Sequence, residues 1–148
     1  MVNTIRQHID NDPEMKDKRD LLDSIPGVGE HTIASLLAFC IHPARFDNAR
    51  QAAAFAGLAP RQHESGGSVH AKPRLSKIGH AFLRKALCMP AMTALYRIPW
   101  GALFHQRLAA AGKPPMLIIG AMMRKLIHAA FGVLKSGVPF RPELHQGS

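Results

Sequence analysis

The amino-acid sequence predicts an all-α fold, a compact helical domain with one long loop or small hairpin at about residues 57–75. Apolar residues recur at helical spacing over most of the chain, and Gly and Pro interrupt these stretches. Hydrophobic residues make up 47% of the 148 residues, which is enough for one core. Residues 57–75 have no helical period and contain several Gly and Pro, which predicts the loop.

The N-terminal part predicts two helices and a tight turn. Residues 1–20 are polar and charged and are expected to be the end of a connecting helix, and a short helix then ends at Ser24. The turn at residues 25–29, Ile-Pro-Gly-Val-Gly, separates this helix from an apolar one at residues 32–39. Two helices joined in this way predict a helix-hairpin-helix element, with the apolar residues of the turn packed inward.

A third helix is predicted between residues 48 and 57. Pro43 interrupts the preceding helix, and the side chain of Asp47 or Asn48 can accept a hydrogen bond from the first amides of the new helix. Gly57 is expected to end the helix after Ala56, because glycine readily adopts the left-handed conformation of a helix C-cap.

The C-terminal half predicts three more helices. Ser76 caps the first of them, Pro90 is expected to kink it, and its apolar stripe consists of Ile78, Ala81, Phe82, Leu83 and Leu87. Pro99 begins the next helix, and Gly112 stops it. We expect residues 21–142 to form the helical domain and residues 143–148 to form a flexible tail.

The last predicted helix begins at Pro114 and ends at Ser136-Gly137. It is apolar on more than one face, and a small domain on its own would leave part of such a helix exposed. This composition predicts a homo-oligomer. No apolar run reaches transmembrane length, and the polar, charged N-terminus does not look like a signal peptide, so we expect a cytoplasmic protein without a membrane partner.

The basic residues are distributed unevenly along the chain. The net charge is +9, and no acidic residue lies between Glu64 and Glu143. Such a one-sided stretch predicts a nucleic-acid partner, because it creates a continuous positive field. The stretch contains twelve basic residues, namely Lys72, Arg74, Lys77, Arg84, Lys85, Arg97, Arg107, Lys113, Arg124, Lys125, Lys135 and Arg141.

The turn at residues 25–29 is the first candidate DNA-binding element. Gly27 and Gly29 allow backbone amides to point outward at the start of a helix, where the helix dipole favours a phosphate oxygen. The hydroxyl of Thr32 could add a donor. The alternative is a purely structural turn, and two flanking carboxylates favour that alternative.

The segment around Ser65 is the second candidate site. Ser65 stands between Glu64 and two glycines, and positive charge nearby would favour both its alkoxide and the transition state of attack on a phosphodiester. The alternative is a solvated loop, in which His63 and His70 are idle rather than proton acceptors. The candidate phosphate contacts around this segment are Arg61, Lys72, Arg74, Lys77 and Arg84.

The acid-free stretch also excludes one kind of chemistry. Two-metal nuclease and transposase sites need clustered carboxylates, and residues 65–142 contain none. Cys40 and Cys88 are expected to be reduced cysteines in the core, and two cysteines alone cannot form a zinc site. We therefore expect no cofactor in this chain.

Several motifs occur in a characteristic order, and they are listed here as they stand: Ile25-Pro26-Gly27-Val28-Gly29, Phe46, Ala53, Phe55-Ala56-Gly57-Leu58-Ala59-Pro60, Ser65-Gly66-Gly67, Ser76-Lys77-Ile78-Gly79, Leu83-Arg84, Gly112-Lys113, Arg124-Lys125-Leu126 and Val133-Leu134-Lys135-Ser136-Gly137. Together they resemble the C-terminal domain of DEDD-type insertion-sequence transposases. This is the insertion sequence one-ten family, related to the pilin-gene invertase. The resemblance covers about residues 20–142.

The resemblance implies a division of labour between two domains. Family members have an N-terminal RuvC-like domain whose acids bind a divalent metal such as Mg²⁺, followed by a helical domain whose serine becomes linked to DNA. On the matching motif that serine is Ser65, with Ser68 as the runner-up. Some members use a guide RNA. The RuvC-like domain has no counterpart here, so the chain is expected to be a fragment or truncated reading frame that is inactive alone.

Three functional hypotheses remain open from the sequence. The first is a serine-bearing domain of a transposase or site-specific recombinase. The second is a non-catalytic helix-hairpin-helix module that only binds DNA. The third is a helical protein-interaction domain whose charge is incidental.

Overall fold

A computed structural model describes residues 13–38, 45–58 and 77–144, and side chains within these ranges except those of residues 77–80 and 144. Its elements are α1 (Pro13–Asp23), α2 (Glu30–Ala38), α3 (Ala49–Phe55), α4 (Lys77–Arg97), α5 (Pro99–Ala110), α6 (Pro115–Ser136) and a 3-10 turn (Pro142–Leu144). Within these ranges every regular element is helical, which confirms the predicted all-α class. The predicted loop lies outside the described residues from residue 59 onward.

Several helix ends fall where local sequence signals predicted them. The Asn48 side chain caps α3 by accepting from the backbone N of Gln51 at 2.9 Å. Pro99 is the first residue of α5, while Pro114 caps α6 from one position outside it. Gly137 ends α6 with φ 70°, a left-handed C-cap. These ends depend on neighbouring residues only, which is why the sequence reveals them.

The core is built around the two longest helices. α6 packs against α1, α3, α4 and α5, and α4 also packs against α2 and α5. Burying large apolar side chains is the main favourable term in such a core, at about 1.5–3 kcal/mol each. The largest fully buried side chains are Leu22, Ile25, Ile33, Leu36, Leu83, Leu87, Leu95, Met122, Leu126 and Ile127.

α4 and α5 approach each other closely where the chain turns at Ile98. A Cβ atom at Gly101 would lie 2.1 Å from the carbonyl oxygen of Ala94. No side chain fits there, so Gly101 is required for this helix pair to cross at such short range.

The predicted apolar stripe of α4 is only partly right. Leu83 and Leu87 are fully buried, but Ala81 is exposed and Phe82 is 38% exposed. The side chain of Ile78 lies outside the described part of the chain. The buried face instead continues through Ala91 and Ala94. Periodicity identified a helix, but the choice of face depends on where α2, α5 and α6 pack.

α6 has about the length and the apolar composition that the sequence predicted for the last helix. By length and composition alone the helix Pro115–Ser136 could cross a membrane, and half of its most apolar window is buried inside the domain. The core helix of a globular protein has the same properties. By length and composition, α6 therefore departs from the expectation that no apolar run reaches transmembrane length.

The segment after α6 contacts the residue that follows α1 and the start of α5. The Phe140 ring lies 5.0 Å from the Trp100 ring, centroid to centroid, and the backbone N of Phe140 donates to the Ser24 hydroxyl at 2.9 Å. These contacts attach the segment to the ends of α1 and α5. Cys88 is a free cysteine and only half-buried, less enclosed than predicted, and Cys40 lies outside the described residues.

Thr32 forms a buried hydrogen bond between two helices, which the sequence-based hypothesis did not predict. Pro90 has no backbone N–H, so the carbonyl of Ala86, four residues earlier in α4, loses its usual helical donor. The Thr32 hydroxyl donates to this carbonyl at 2.9 Å, and Thr32 is only 4% exposed. The contact joins α2 to α4 and satisfies a buried acceptor that Pro90 leaves open.

We predict that Thr32→Val destabilises the domain by about 1–3 kcal/mol, because it leaves the Ala86 carbonyl buried without a donor. In a Pro90→Ala background the amide of residue 90 can donate to that carbonyl, so the same substitution should cost clearly less. The measurement is urea unfolding of the four variants as a double-mutant cycle.

Ser35→Ala is the matched control for this cycle. Ser35 is equally buried, but its hydroxyl donates to the His31 carbonyl of its own helix at 2.9 Å. Its cost should be the same with and without Pro90. Equal costs of Thr32→Val in both backgrounds would refute the role assigned to Thr32.

Candidate nucleic-acid interface

The turn between α1 and α2 has the inward-packed side chains that its sequence predicted. Ile25 is 1% exposed and Val28 is 7% exposed, whereas Gly27 and Gly29 lie at the surface. The N of Val28 donates to the Ile25 carbonyl at 3.3 Å, and the N of Ile33 donates to the Gly29 carbonyl at 3.0 Å. The first amides of α2 therefore follow directly on an exposed glycine, while a DNA-binding helix-hairpin-helix role for this turn stays a prediction.

The turn is held against α4 at Gly27. This residue has φ 91°, and a Cβ atom there would lie 3.0 Å from Cδ1 of Ile98 and 3.6 Å from the Pro90 carbonyl oxygen. Gly27 is thus needed both for the backbone conformation and for the close approach to α4. Gly29 has open space around it.

Two features of the turn reduce its value as a phosphate site. The Thr32 hydroxyl is buried and donates to Ala86, so it does not extend the surface as the sequence-based hypothesis expected. The carboxylate of Glu30 occupies the first turn of α2, and its Oε1 lies 3.4 Å from Nη2 of Arg19. A phosphate at this helix end would meet a negative charge that is already there.

The predicted nucleophile and most of its neighbours lie outside the described residues. This holds for Ser65, Ser68, Arg61, Lys72 and Arg74, and likewise for His63, His70, Pro43 and Ser76. Lys77 is the first residue of α4, and its side chain is outside the described part.

The three C-terminal helices present basic side chains at several places. From Lys77 to Pro142 the chain has no acidic residue. Two ion pairs of the described ranges involve α1 and α2. The Lys18 Nζ lies 3.5 Å from the Glu14 Oε1, and the Arg19 Nη2 lies 3.4 Å from the Glu30 Oε1. The exposed basic residues of the C-terminal part are Lys85, Arg97, Arg107, Lys113, Lys135 and Arg141.

Arg84 is half-buried and already hydrogen-bonded. Its Nη1 donates to the carbonyl of Ala56, just after α3, at 3.2 Å. The guanidinium therefore links α4 to the point where the chain leaves α3. A guanidinium has five N–H donors, and this bond uses one of them.

Arg45 was not predicted as a site residue. Its guanidinium carbon lies 5.7 Å from the ring centroid of Phe46 and 5.4 Å from that of Phe55. The side chain is exposed, and two aromatic rings hold the cation near the end of α3. The only signal in the sequence is an Arg-Phe pair followed by Phe55, which indicates no tertiary contact by itself.

Lys125 is the one basic residue of α6 that the core encloses. It is 7% exposed, and its Nζ lies 4.8 Å from the Phe104 ring centroid and 5.5 Å from that of Trp100. Burial, and secondly the nearby Arg107 guanidinium, lower the pKa of Lys125 from 10.5 to about 8. Sequence counting treated Lys125 as surface charge, which the structure contradicts because packing against α5 encloses it.

The described residues do not suit a divalent metal. Within residues 13–38, 45–58 and 77–144, no group of three or more His, Cys, Asp or Glu side chains comes together in a metal-binding arrangement. Oxygen-rich clusters are what Mg²⁺ requires.

We predict that the free energy of unfolding rises with pH between about 8 and 10.5. In this range the unfolded chain keeps a proton on residue 125 that the folded chain has released, so the folded state gains up to about 3 kcal/mol. Lys125→Met should remove this rise, while Lys113→Met at an exposed position should keep it. Denaturant unfolding at several pH values measures the slope, and equal slopes in all three proteins would contradict the assignment.

Comparison with known proteins identifies the family. The model of the Transposase IS116/IS110/IS902 family matches residues 19–106, which is more than half of the chain. The pilin gene-inverting protein of Moraxella bovis is 37% identical over 143 residues, covering 96% of this chain and 44% of that protein. The pilin gene-inverting protein of Moraxella lacunata gives the same identity and coverage.

A third relative comes from the insertion element IS110, which is one of the elements after which the family is named. The insertion element IS110 uncharacterized 43.6 kDa protein of Streptomyces coelicolor is 29% identical over 127 residues, which is 86% of this chain and 31% of that protein. The chain spans less than half the length of each of these relatives. As the sequence motifs predicted, the chain belongs to the IS116/IS110/IS902 family of transposases.

Proposed function

We propose that this chain is the DNA-binding, serine-bearing domain of a recombinase that acts in DNA transposition or inversion. The observation that carries the proposal is the absence of acidic residues from Lys77 to Pro142, through all of α4, α5 and α6. Family membership supports the reaction class, and the name of the Moraxella relatives points to inversion of a DNA segment. We propose that the complete reaction takes place in the cytoplasm and requires a RuvC-like domain.

The charge distribution supports a polyanion as partner. The exposed basic side chains of the C-terminal part lie on α4, α5 and α6 or in the segments that follow α5 and α6, and the acids of the described part concentrate in α1 and α2. DNA would therefore approach the side formed by the C-terminal helices, where it meets no carboxylate of these helices. The turn with Gly27 and Gly29 would supply backbone amides at the edge of this surface, without the side chain of Thr32.

The proposed chemistry is a transesterification at Ser65. The serine Oγ attacks a backbone phosphorus, a new P–O bond forms to the protein, and the bond to one sugar oxygen breaks. The proton of the serine hydroxyl ends on the departing sugar oxygen, so no other reactant is consumed and the phosphodiester energy is conserved. Positive groups near the phosphate stabilise the extra negative charge of the transition state. Arg61, Lys72, Arg74 and Lys77 are the proposed contacts.

A divalent metal does not fit the donor set of this domain. Residues 65–142 contain no carboxylate, and the described residues form no cluster of metal ligands. We propose that the family's Mg²⁺ is held by the RuvC-like domain. The part played by this chain is to bind DNA and to present a hydroxyl.

Self-association is part of the proposal. Large apolar side chains remain exposed on α4 and at the start of α6, with Met89 68%, Tyr96 56% and Met116 77% exposed. Exposed apolar side chains grouped on helices commonly mark a protein contact. A homo-oligomer would cover them, and the mass from light scattering would reveal it.

We predict that DNA affinity of the chain falls steeply with salt. The logarithm of the binding constant should decrease by about 0.9 per logarithmic unit of salt for every phosphate neutralised. Lys77→Ala should reduce this slope by about one, whereas Lys16→Ala, on the acidic helix α1, should leave it unchanged. Competition with RNA tests a guide-RNA partner in the same titration. An absence of binding at low salt would leave the protein-interaction hypothesis in place.

We predict that Ser65→Ala abolishes covalent protein–DNA product, by at least 100-fold, without weakening DNA binding. The assay uses a protein that carries this chain behind a family RuvC-like domain, and DNA in which a bridging sulfur replaces the leaving oxygen. Ser68→Ala is the matched control from the same segment and should retain the product. Full product formation by Ser65→Ala would favour the non-catalytic DNA-binding module.

A further inference from the structure

The C-terminal end of α3 has a well-defined geometry that sets the direction in which the chain leaves the helix. Gly57 has φ 75°, its N donates to the Ala54 carbonyl at 3.0 Å, and the N of Leu58 donates to the Ala53 carbonyl at 2.8 Å. These two bonds form a Schellman motif, in which a left-handed residue turns the chain away from the helix axis. The carbonyl of Ala56 remains available to an outside donor.

That donor is Arg84 of α4. Its Nη1 donates to the Ala56 carbonyl at 3.2 Å. A Cβ atom at position 57 would lie 2.5 Å from Nη1 and 3.6 Å from Cζ of Arg84. The missing side chain of Gly57 therefore creates the space in which the guanidinium lies. The cation also sits at the negative end of the α3 dipole, which strengthens the interaction.

The position of Arg84 along α4 makes this contact relevant to the Ser65 segment. The described chain stops at Leu58 and continues at Lys77, where α4 begins. Arg84 lies seven residues into α4, about 10 Å along its axis. One guanidinium thus ties the point where the chain leaves α3 to the helix in which it returns.

We propose that Arg84 is a positioning residue, which fixes the direction in which the chain leaves α3, ahead of Ser65 in the sequence, by donating to the Ala56 carbonyl from the space beside Gly57. This inference rests on the proposed function only where it concerns Ser65. It replaces the expectation that Arg84 contacts phosphate mainly through its charge. A planar guanidinium is needed because it lies beside the Cβ position of Gly57 while its Nη1 donates to the Ala56 carbonyl, whereas a lysine ammonium is a compact charge on a flexible stem.

Two substitutions separate position from charge. Arg84→Lys keeps the charge but removes the planar fork, and Gly57→Ala keeps Arg84 but places a methyl group 2.5 Å from its Nη1. Gly112→Ala is the matched control, because Gly112 has φ 82° with nothing within 4 Å of its Cβ position. The control therefore carries the same left-handed backbone strain without displacing a neighbour.

The first readout is amide hydrogen exchange of Leu58 in the 148-residue chain. Exchange should accelerate at least tenfold in Arg84→Lys and in Gly57→Ala, and stay within twofold of the wild type in Gly112→Ala. The double variant Arg84→Lys, Gly57→Ala should exchange no faster than the faster single variant, because both changes remove the same contact. Unchanged exchange in Arg84→Lys, or fully additive effects, would overturn the inference.

The second readout is the yield of covalent protein–DNA product in the longer protein. Arg84→Lys and Gly57→Ala should lower the yield at least tenfold, with the slope of binding against salt changed by less than half a unit. A full yield in Arg84→Lys would contradict a positioning role, and so would an Arg84→Gln variant that lowers the salt slope by one unit while Arg84→Lys restores it. If Ser65→Ala leaves the product intact, the proposed function fails, and the Leu58 exchange still tests Arg84 independently.

Discussion

The helices α4, α5 and α6 contain many basic residues and no acidic residue. Their cationic side chains therefore cannot form ion pairs with carboxylates of the same three helices. Two of these cations are withdrawn from solvent, Arg84 partly and Lys125 almost fully, and each contacts a different kind of electron-rich group. Arg84 donates to the Ala56 carbonyl, and Lys125 lies against the rings of Phe104 and Trp100. Arg107 packs on Phe104, 5.3 Å from its centroid, while keeping its exposure. Carbonyl oxygens and aromatic faces thus contact these three basic groups, and the exposed cations of the same helices face solvent or a polyanion.

This constraint connects the fold with the proposed function. The same helices that form the centre of the core also carry the exposed basic residues. A backbone phosphate of bound DNA would therefore contact side chains that project directly from core helices. α6 packs on four of the other helices, and α4 joins the turn at residues 25–29, the end of α3 and α5.

Much of the helical framework was predictable because its signals are local. The cap at Asn48, the start at Pro99, the start of α6 directly after Pro114 and the end at Gly137 each depend on the preferred backbone conformation of one or two residues. The predictions that went wrong concern packing. Phe82 was assigned to the buried stripe and is partly exposed, and Thr32 was assigned to the surface and is buried. Hydrophobic spacing does not determine which face of a helix meets its neighbour.

Composition and motif order alone determined the helical class, the family and the cationic character of residues 65–142. These properties follow from residue types and their spacing, and no tertiary contact changes them. Only the tertiary structure decided which polar groups are available to a ligand. Thr32 is engaged because Pro90, distant in the sequence, leaves a carbonyl without its donor, and Arg84 is engaged because Gly57 leaves room for it. Such pairings arise between elements that meet only in the folded chain, so the sequence could present the candidates but could not assign their partners.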